Sequence, residues 1–185
     1  MKPLVEGLAD GDPQAFQAFY DQLSQQLFRF LVAKTGSYDL AGDALQETFL
    51  RAVRFREQLR KVNNLDAWIF TVARREADRI LTQSSQRRSC SLREAENIQS
   101  FAKPVQIELG LREELEIALA ILTIPEREII ELHIYGGLKF REVAEVTETP
   151  QGTVATRYRA ALVKLRKHLA RTPDSATRPI KEINQ

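Results

Sequence analysis

Thr153, Thr156, Arg157 and Arg159 carry hydroxyl and guanidinium donors at helical spacing. That spacing turns them, with Lys164, towards solvent. Val154, Tyr158, Ala161, Leu162 and Leu165 fall on the opposite, apolar side of the same helix. Just upstream, Phe140, Val143, Ala144 and Val146 give a shorter segment one apolar face, and Thr147-Glu148-Thr149 interrupts it. Thr149 is the expected N-cap of the longer helix and Pro150 its first residue, where a missing N–H costs nothing. A basic helix braced by a shorter partner can place its N-terminal half in a DNA major groove. A plain helical hairpin with a solvated basic face would show the same pattern.

A second cluster lies on an earlier predicted helix, where Trp68 precedes Arg74, Arg75 and Arg79. Bases stack on aromatic rings while cations hold the backbone, so this combination suits a single nucleic-acid strand. The competing reading is a tryptophan that simply packs against the core. Enzyme chemistry finds little support. The chain has no phosphate-cradling glycine loop, no HExxH and no Cys/His metal spacing. His133 and His168 stand apart, and carboxylate pairs such as Glu113/Glu114 lie on acidic faces without an apolar pocket to raise a pKa. No catalytic residue, metal site, cofactor or small-molecule substrate is expected.

The elements that must position these clusters are helical. Glycine is scarce, at 8 of 185 residues, and β-branched alternating runs are absent. Asp12-Pro13 opens a helix whose Phe16, Phe19, Tyr20, Leu23, Leu27, Phe30 and Leu31 form a core stripe, and Thr35-Gly36 closes it. The next helix runs from about Tyr38 to Phe55, with Leu40, Ala44, Leu45, Thr48, Phe49, Ala52 and Val53 inward. Arg54 to Asn64 has no clear period and reads as a loop or frayed helix. Asn64 or Asp66 can cap the helix that continues to about Gln83. Residues 84–110, rich in Ser, Gln and charge, read as a tether. Periodicity resumes at Leu111, breaks at Thr123-Ile124-Pro125-Glu126 and stops at Gly136-Gly137. The expected fold is all-α, with two small helical domains at 1–83 and 111–171, a linker at 84–110 and a loose tail at 172–185.

Charge is segregated although the net value is only +2. Residues 150–185 hold eight Lys/Arg against two Asp/Glu, and residues 74–93 hold six against two. Residues 94–148 hold five against twelve. Two basic patches suit a polyanion touched at two places. Charge blocks that merely keep helices soluble are the alternative. The single cysteine, Cys90, excludes an internal disulfide framework. No apolar run approaches a membrane span, so the cytoplasm is the expected compartment.

Four segments together resemble bacterial RNA polymerase sigma factors of the extracytoplasmic-function (ECF) group. Ala41-Gly42-Asp43-Ala44-Leu45-Gln46-Glu47-Thr48-Phe49-Leu50 is similar to that group's Ala-Glu-Asp-Leu-Val-Gln-Glu-Thr-Phe signature. Ala67-Trp68-Ile69-Phe70-Thr71-Val72-Ala73-Arg74-Arg75, with Asp78, resembles its Ala-Trp-Leu-x-x-Ile-Ala-Arg-Asn segment. Ile124-Pro125-Glu126-Arg127-Glu128 resembles the start of its DNA-reading domain. Pro150-Gln151-Gly152-Thr153-Val154, with Arg157, resembles its Pro-x-Gly-Thr-Val-x-Ser-Arg recognition helix. The segments stand in family order across nearly the whole chain.

The resemblance implies a dissociable subunit that binds core RNA polymerase and promoter DNA, with an anti-sigma factor as its usual regulator. It implies polymerase docking through Asp43, Gln46, Glu47 and Arg51. It implies minus-10 recognition and melting by Arg56, Asn63, Asn64, Trp68, Arg74, Arg75 and Arg79. It implies minus-35 reading by Arg141, Gln151, Thr153, Thr156, Arg157 and Arg159. Four positions depart from the pattern: Gly42, Arg75, Ala155 and Ala160. They point to altered promoter readout, with Arg75 adding charge at the melting surface. Two other readings are a stand-alone helix-turn-helix regulator and a sigma-derived helical adaptor that does not bind DNA.

Overall fold

The structure, a computed structural model, describes residues 2–91 and 119–170. The described residues form helices joined by short turns. Helix α1 spans Lys2–Asp10, α2 Pro13–Thr35, α3 Tyr38–Arg54 and α4 Leu65–Ser91. In the C-terminal body α5 spans Ile124–Ile130, α6 Phe140–Val146 and α7 Gln151–Leu169. The linker expected at 84–110 begins inside α4, which continues through Ser91; residues 92–118 and the tail from 171 lie outside the described residues.

Local chemistry sets most boundaries. The Asp12 carboxylate accepts from the Gln14 N–H at 3.0 Å, and Pro13 opens α2. Gly36 ends α2 at φ +68°, a left-handed conformation that costs glycine little, with its N–H on the Val32 carbonyl. Ser37 Oγ then accepts from Leu40 N at 3.4 Å to start α3. Asn64 Oδ1 accepts from Ala67 N at 3.2 Å and starts α4. Thr123 and Glu126 form a reciprocal capping box at α5.

Three expectations change. Arg54 to Asn64 is not frayed: Arg56–Lys61 is a 3₁₀ turn packed on α1, with Leu59 fully buried. One buried side chain in eleven residues leaves no periodicity to detect. Tyr20, Val53 and Leu162 stand at helical core spacing yet are exposed, at 44%, 44% and 40%. Thr149 does not cap α7. Its hydroxyl donates to the Thr147 carbonyl at 3.1 Å, and Pro150 takes the cap position, its carbonyl accepting from Thr153 N and Val154 N.

The N-terminal body packs Leu8, Phe19, Leu23, Leu27, Phe30, Leu31, Ile69 and Phe70 into one core. That core does not end at the body's edge. Ile129, Leu132, Leu138, Val143, Val146 and Val154 from the C-terminal body belong to the same buried cluster. Phe70 meets Phe30 edge-on at 5.5 Å, and Gly136 approaches so closely that a Cβ there would lie 2.8 Å from the Phe70 ring. A smaller cluster of Leu119, Leu122, Ile130 and Ala161 holds α5 to α7.

Candidate nucleic-acid and polymerase interfaces

The helix-turn-helix is built from α6 and α7. Val143 and Val146 of α6 and Val154 of α7 are fully buried. Thr149 N donates to the Ala144 carbonyl at 3.0 Å, and Glu148 turns the chain at φ +52°. The N-terminal half of α7 is held by rings: Phe140 and Tyr158 lie 5.1 Å apart, and His133 lies 4.7 Å from Phe140 and 5.0 Å from Tyr158. His133 Nδ1–H donates to the Leu138 carbonyl at 2.7 Å, which makes the histidine a packing residue. The C-terminal half of α7 is held by charge. Lys164 Nζ donates to both Glu126 carboxylate oxygens at 2.8 and 2.7 Å. That bond, with the Thr123 N–H, keeps the Glu126 pKa below its ordinary value. Lys164, expected on the open polar side, is thus an anchor.

The residues expected on the reading face of α7 differ in exposure. Gln151, Thr156 and Arg159 are exposed, and Thr153 and Arg157 are half-buried at the rim. Gly152 has open space around it. Arg141 projects from α6 with its side chain 74% exposed. Among the described residues no carboxylate pairs with Arg157 or Arg159.

Asp43, Gln46 and Glu47 come together along a groove of about 400 Å³ between α3 and α4, with Leu40, Ile80 and Gln83. Arg51 does not join its lining. It pairs instead with Glu76, which is 2% exposed and also holds Arg79 Nε at 2.8 Å. Arg79 lines this groove, so it sits with the docking candidates and not with the strand-capture candidates.

The remaining minus-10 candidates do not form one open patch. Trp68 is half-buried against the core. Asn63 is exposed, whereas Asn64 is a helix cap whose Nδ2 is buried without a hydrogen-bond partner. Arg56 stands apart, beside Gly11. Arg74 and Arg75 face the C-terminal body. Glu128 accepts from Arg74 at 2.7 and 3.2 Å and from Lys34 at 3.4 Å, while Lys34 also reaches Asp78 at 3.0 Å. Arg75 lies 3.7 Å from Glu148.

Sequence reasoning missed Glu76, Glu128, Glu148 and Lys34. A signal existed: the acidic excess of 94–148 complements the basic excess of 74–93. No group of three or more His, Cys, Asp or Glu among the described residues could hold a metal ion. No helix among them is long and apolar enough to cross a membrane.

The Sigma-70 region 2 family matches residues 19–87, and the Sigma-70 region 4 family matches residues 112–165. The chain is 30% identical over 168 residues to the ECF RNA polymerase sigma factor BldN of Streptomyces coelicolor, covering 86% of this chain and 62% of BldN. It is 29% identical over 170 residues to the ECF sigma factor SigL of Mycobacterium tuberculosis, covering 88% and 93%. Its fold is similar to that of the sigma factor RpoE in the RpoE–NepR complex from Bartonella quintana. There the TM-score is 0.66 at 22% identity, with 85% of this chain and 98% of that one covered. Two region families in order, on two helical bodies of the matching kind, settle the group: the chain belongs to the ECF RNA polymerase sigma factors.

Proposed function

We propose that this chain binds core RNA polymerase, brings it to promoters that carry two spaced elements, and starts transcription there. The observation that carries the reading is α7. It presents Gln151, Thr153, Thr156, Arg157 and Arg159 on a helix anchored at both ends, and among the described residues no carboxylate pairs with Arg157 or Arg159. Hydrogen-bond donors on a rigid helix suit base edges in a minus-35 duplex, with Arg141 on the adjoining backbone. The groove bearing Asp43, Gln46 and Glu47 is the polymerase docking surface in this reading. Arg74 and Arg75, on the same helix as Trp68, hold the minus-10 strand in this reading.

Such a subunit does no covalent chemistry; the polymerase supplies the reaction. It works beside the polymerase, in the cytoplasm. An anti-sigma protein is a fitting regulator, since RpoE in the similar structure is bound to the anti-sigma factor NepR. Runoff transcription with core polymerase on a library of randomised promoters tests the whole reading. Defined start sites with a two-part motif are expected. A chain that never associates with core polymerase, or associates without starting RNA, overturns it.

A further inference from the structure

We propose that His133 is a positioning residue for minus-35 reading: its ring, set against Phe140 and Tyr158, fixes the angle at which α7 presents its reading face. This role rests on the minus-35 reading of α7 above. A π-helical turn, Glu131–Tyr135, continues α5, and the Gly136 N–H closes it on the Glu131 carbonyl, five residues back, at 3.0 Å. Such wide turns are rare and recur at functional sites. The chain then passes through Gly137 at φ +69° and is tied back to the turn twice. Leu138 N donates to the Leu132 carbonyl at 3.2 Å, and His133 Nδ1–H donates to the Leu138 carbonyl at 2.7 Å. The second bond orients the imidazole, because that N–H lies in the plane of its ring.

The oriented ring meets both helices of the helix-turn-helix. It is tilted 47° to Phe140, the first residue of α6, at 4.7 Å, and stands edge-on to Tyr158 of α7, at 5.0 Å and 87°. Phe140 and Tyr158 close the triangle at 5.1 Å and 60°. All three separations lie where aromatic pairs attract beyond the area they bury, and edge-to-face contact is directional. The trio therefore sets orientation as well as distance. The C-terminal half of α7 is held elsewhere, by Ala161 with Leu122 and Ile130 and by Lys164 on Glu126. Two separate fixings define the helix axis. Tyr158 and Lys164 stand six residues apart, about 9 Å along the helix, and Thr153 lies about 7.5 Å beyond Tyr158. With Lys164 as pivot, each ångström of movement at Tyr158 tilts α7 by about 6° and carries Thr153 about 1.8 Å. A hydrogen bond to a base edge holds only over about 2.7–3.2 Å, so a shift of that size breaks it. Contacts to phosphate carry no sequence information, and a long cationic side chain can follow a displaced phosphate. Losing the triangle thus costs discrimination more than it costs duplex affinity.

The test compares the full chain with its His133→Ala, His133→Phe and His133→Asn variants. Phenylalanine keeps a ring and loses the donor; asparagine keeps a donor near the Nδ1 position and loses the ring. The probes are a labelled duplex bearing the minus-35 sequence recovered from the promoter library and a scrambled duplex of the same length. Anisotropy reads both affinities, and residual dipolar couplings of the α7 amides read its tilt against α5. His133→Ala should tilt α7 and lower the ratio of specific to scrambled affinity about tenfold, the discrimination of about one bidentate base contact. Affinity for the scrambled duplex should change by less than about twofold, since its phosphate contacts remain. His133→Phe should restore most of the ratio and His133→Asn should not. An unchanged ratio in folded His133→Ala overturns the proposal, as does rescue by asparagine equal to that by phenylalanine. If His133→Ala does not fold, Tyr158→Leu opens the same triangle from α7: a lost ratio supports the proposal and an unchanged one overturns it. If the unaltered chain shows no duplex preference, the promoter reading fails and the couplings alone decide. A tilt in His133→Ala then upholds the ring as what sets α7, and an untilted helix overturns it.

Discussion

Helices α4 and α7 both carry arginines proposed to meet nucleic acid, and they treat them differently. Every arginine of α4 described with its side chain meets a carboxylate: Arg74 Glu128, Arg75 Glu148 and Arg79 Glu76. On α7, Lys164 is paired and spent on anchoring, while among the described residues no carboxylate pairs with Arg157 or Arg159. The difference follows the targets. A duplex presents a fixed groove, so a rigid helix with ready donors can meet it unassisted. An unpaired strand must be captured in a surface that becomes free only when the duplex opens.

The largest effect should come from the structural half of the paired side. Glu76 is buried and serves Arg51 of α3 and Arg79 of α4 at once. Removing it by Glu76→Ala leaves two cations against the core edge. Breaking a buried pair costs about 3–5 kcal/mol, and the partial exposure of both arginines reduces that to about 2–3 kcal/mol here. Thermal or urea unfolding of the full chain measures it. A loss no larger than that of an ordinary surface substitution would mean that α4's pairings hold no structure together, and the contrast with α7 would shrink to one of accessibility.

Next in size is Arg157→Ala on the open side. If Arg157 reads a base edge, duplex affinity should fall by about 1–3 kcal/mol and preference should relax at one minus-35 position, with the melting temperature unchanged. Unaltered promoter preference would take Arg157 out of the readout and leave it a rim residue. Arg159→Ala sharpens the comparison. A contact to phosphate alone would weaken binding evenly across sequences and reduce the salt slope by about 1.

Much of this contrast could be read from the sequence, and the unreadable part has a physical cause. The caps at Asp12 and Asn64, the glycine stop at Gly36 and the core stripe of α2 are local, so spacing reveals them. The outward set on α7 is local for the same reason. Leu162 and Val53 show the limit: helical spacing says which face is apolar but not whether another element arrives to cover it. The Arg74–Glu128 contact is long-range, 54 positions apart, and no periodicity encodes it. Only the complementary charge of two segments hinted at it, and that pattern is equally what a polyanion-binding surface shows.

The smallest effect belongs to the anchor of the open helix. Glu126→Gln keeps an oxygen for the Thr123 N–H and loses the charge and one of the two acceptors facing Lys164, itself 42% exposed. The expected cost is about 0.5–1 kcal/mol near neutral pH. Its pH dependence is the more telling readout. The Lys164 bond first, and the Thr123 N–H second, lower the Glu126 pKa in the folded chain. The stabilisation is therefore full above the ordinary glutamate value of 4.5 and drains away as pH falls through the lowered one. The gap between the two proteins should hold steady from neutral down towards that value and close below it. Glu131 runs the other way. Burial raises its pKa against the opposing Arg127 hydrogen bond, so its contribution is full at low pH and is lost as pH rises through the raised value. Glu131→Gln should accordingly gain on the unaltered chain as pH rises. Two carboxylates of one short body with opposite pH slopes would show that the charge on α5 and its C-cap is assigned residue by residue, Glu126 to fixing α7 and Glu131 to a burial that the Arg127 pair only partly offsets.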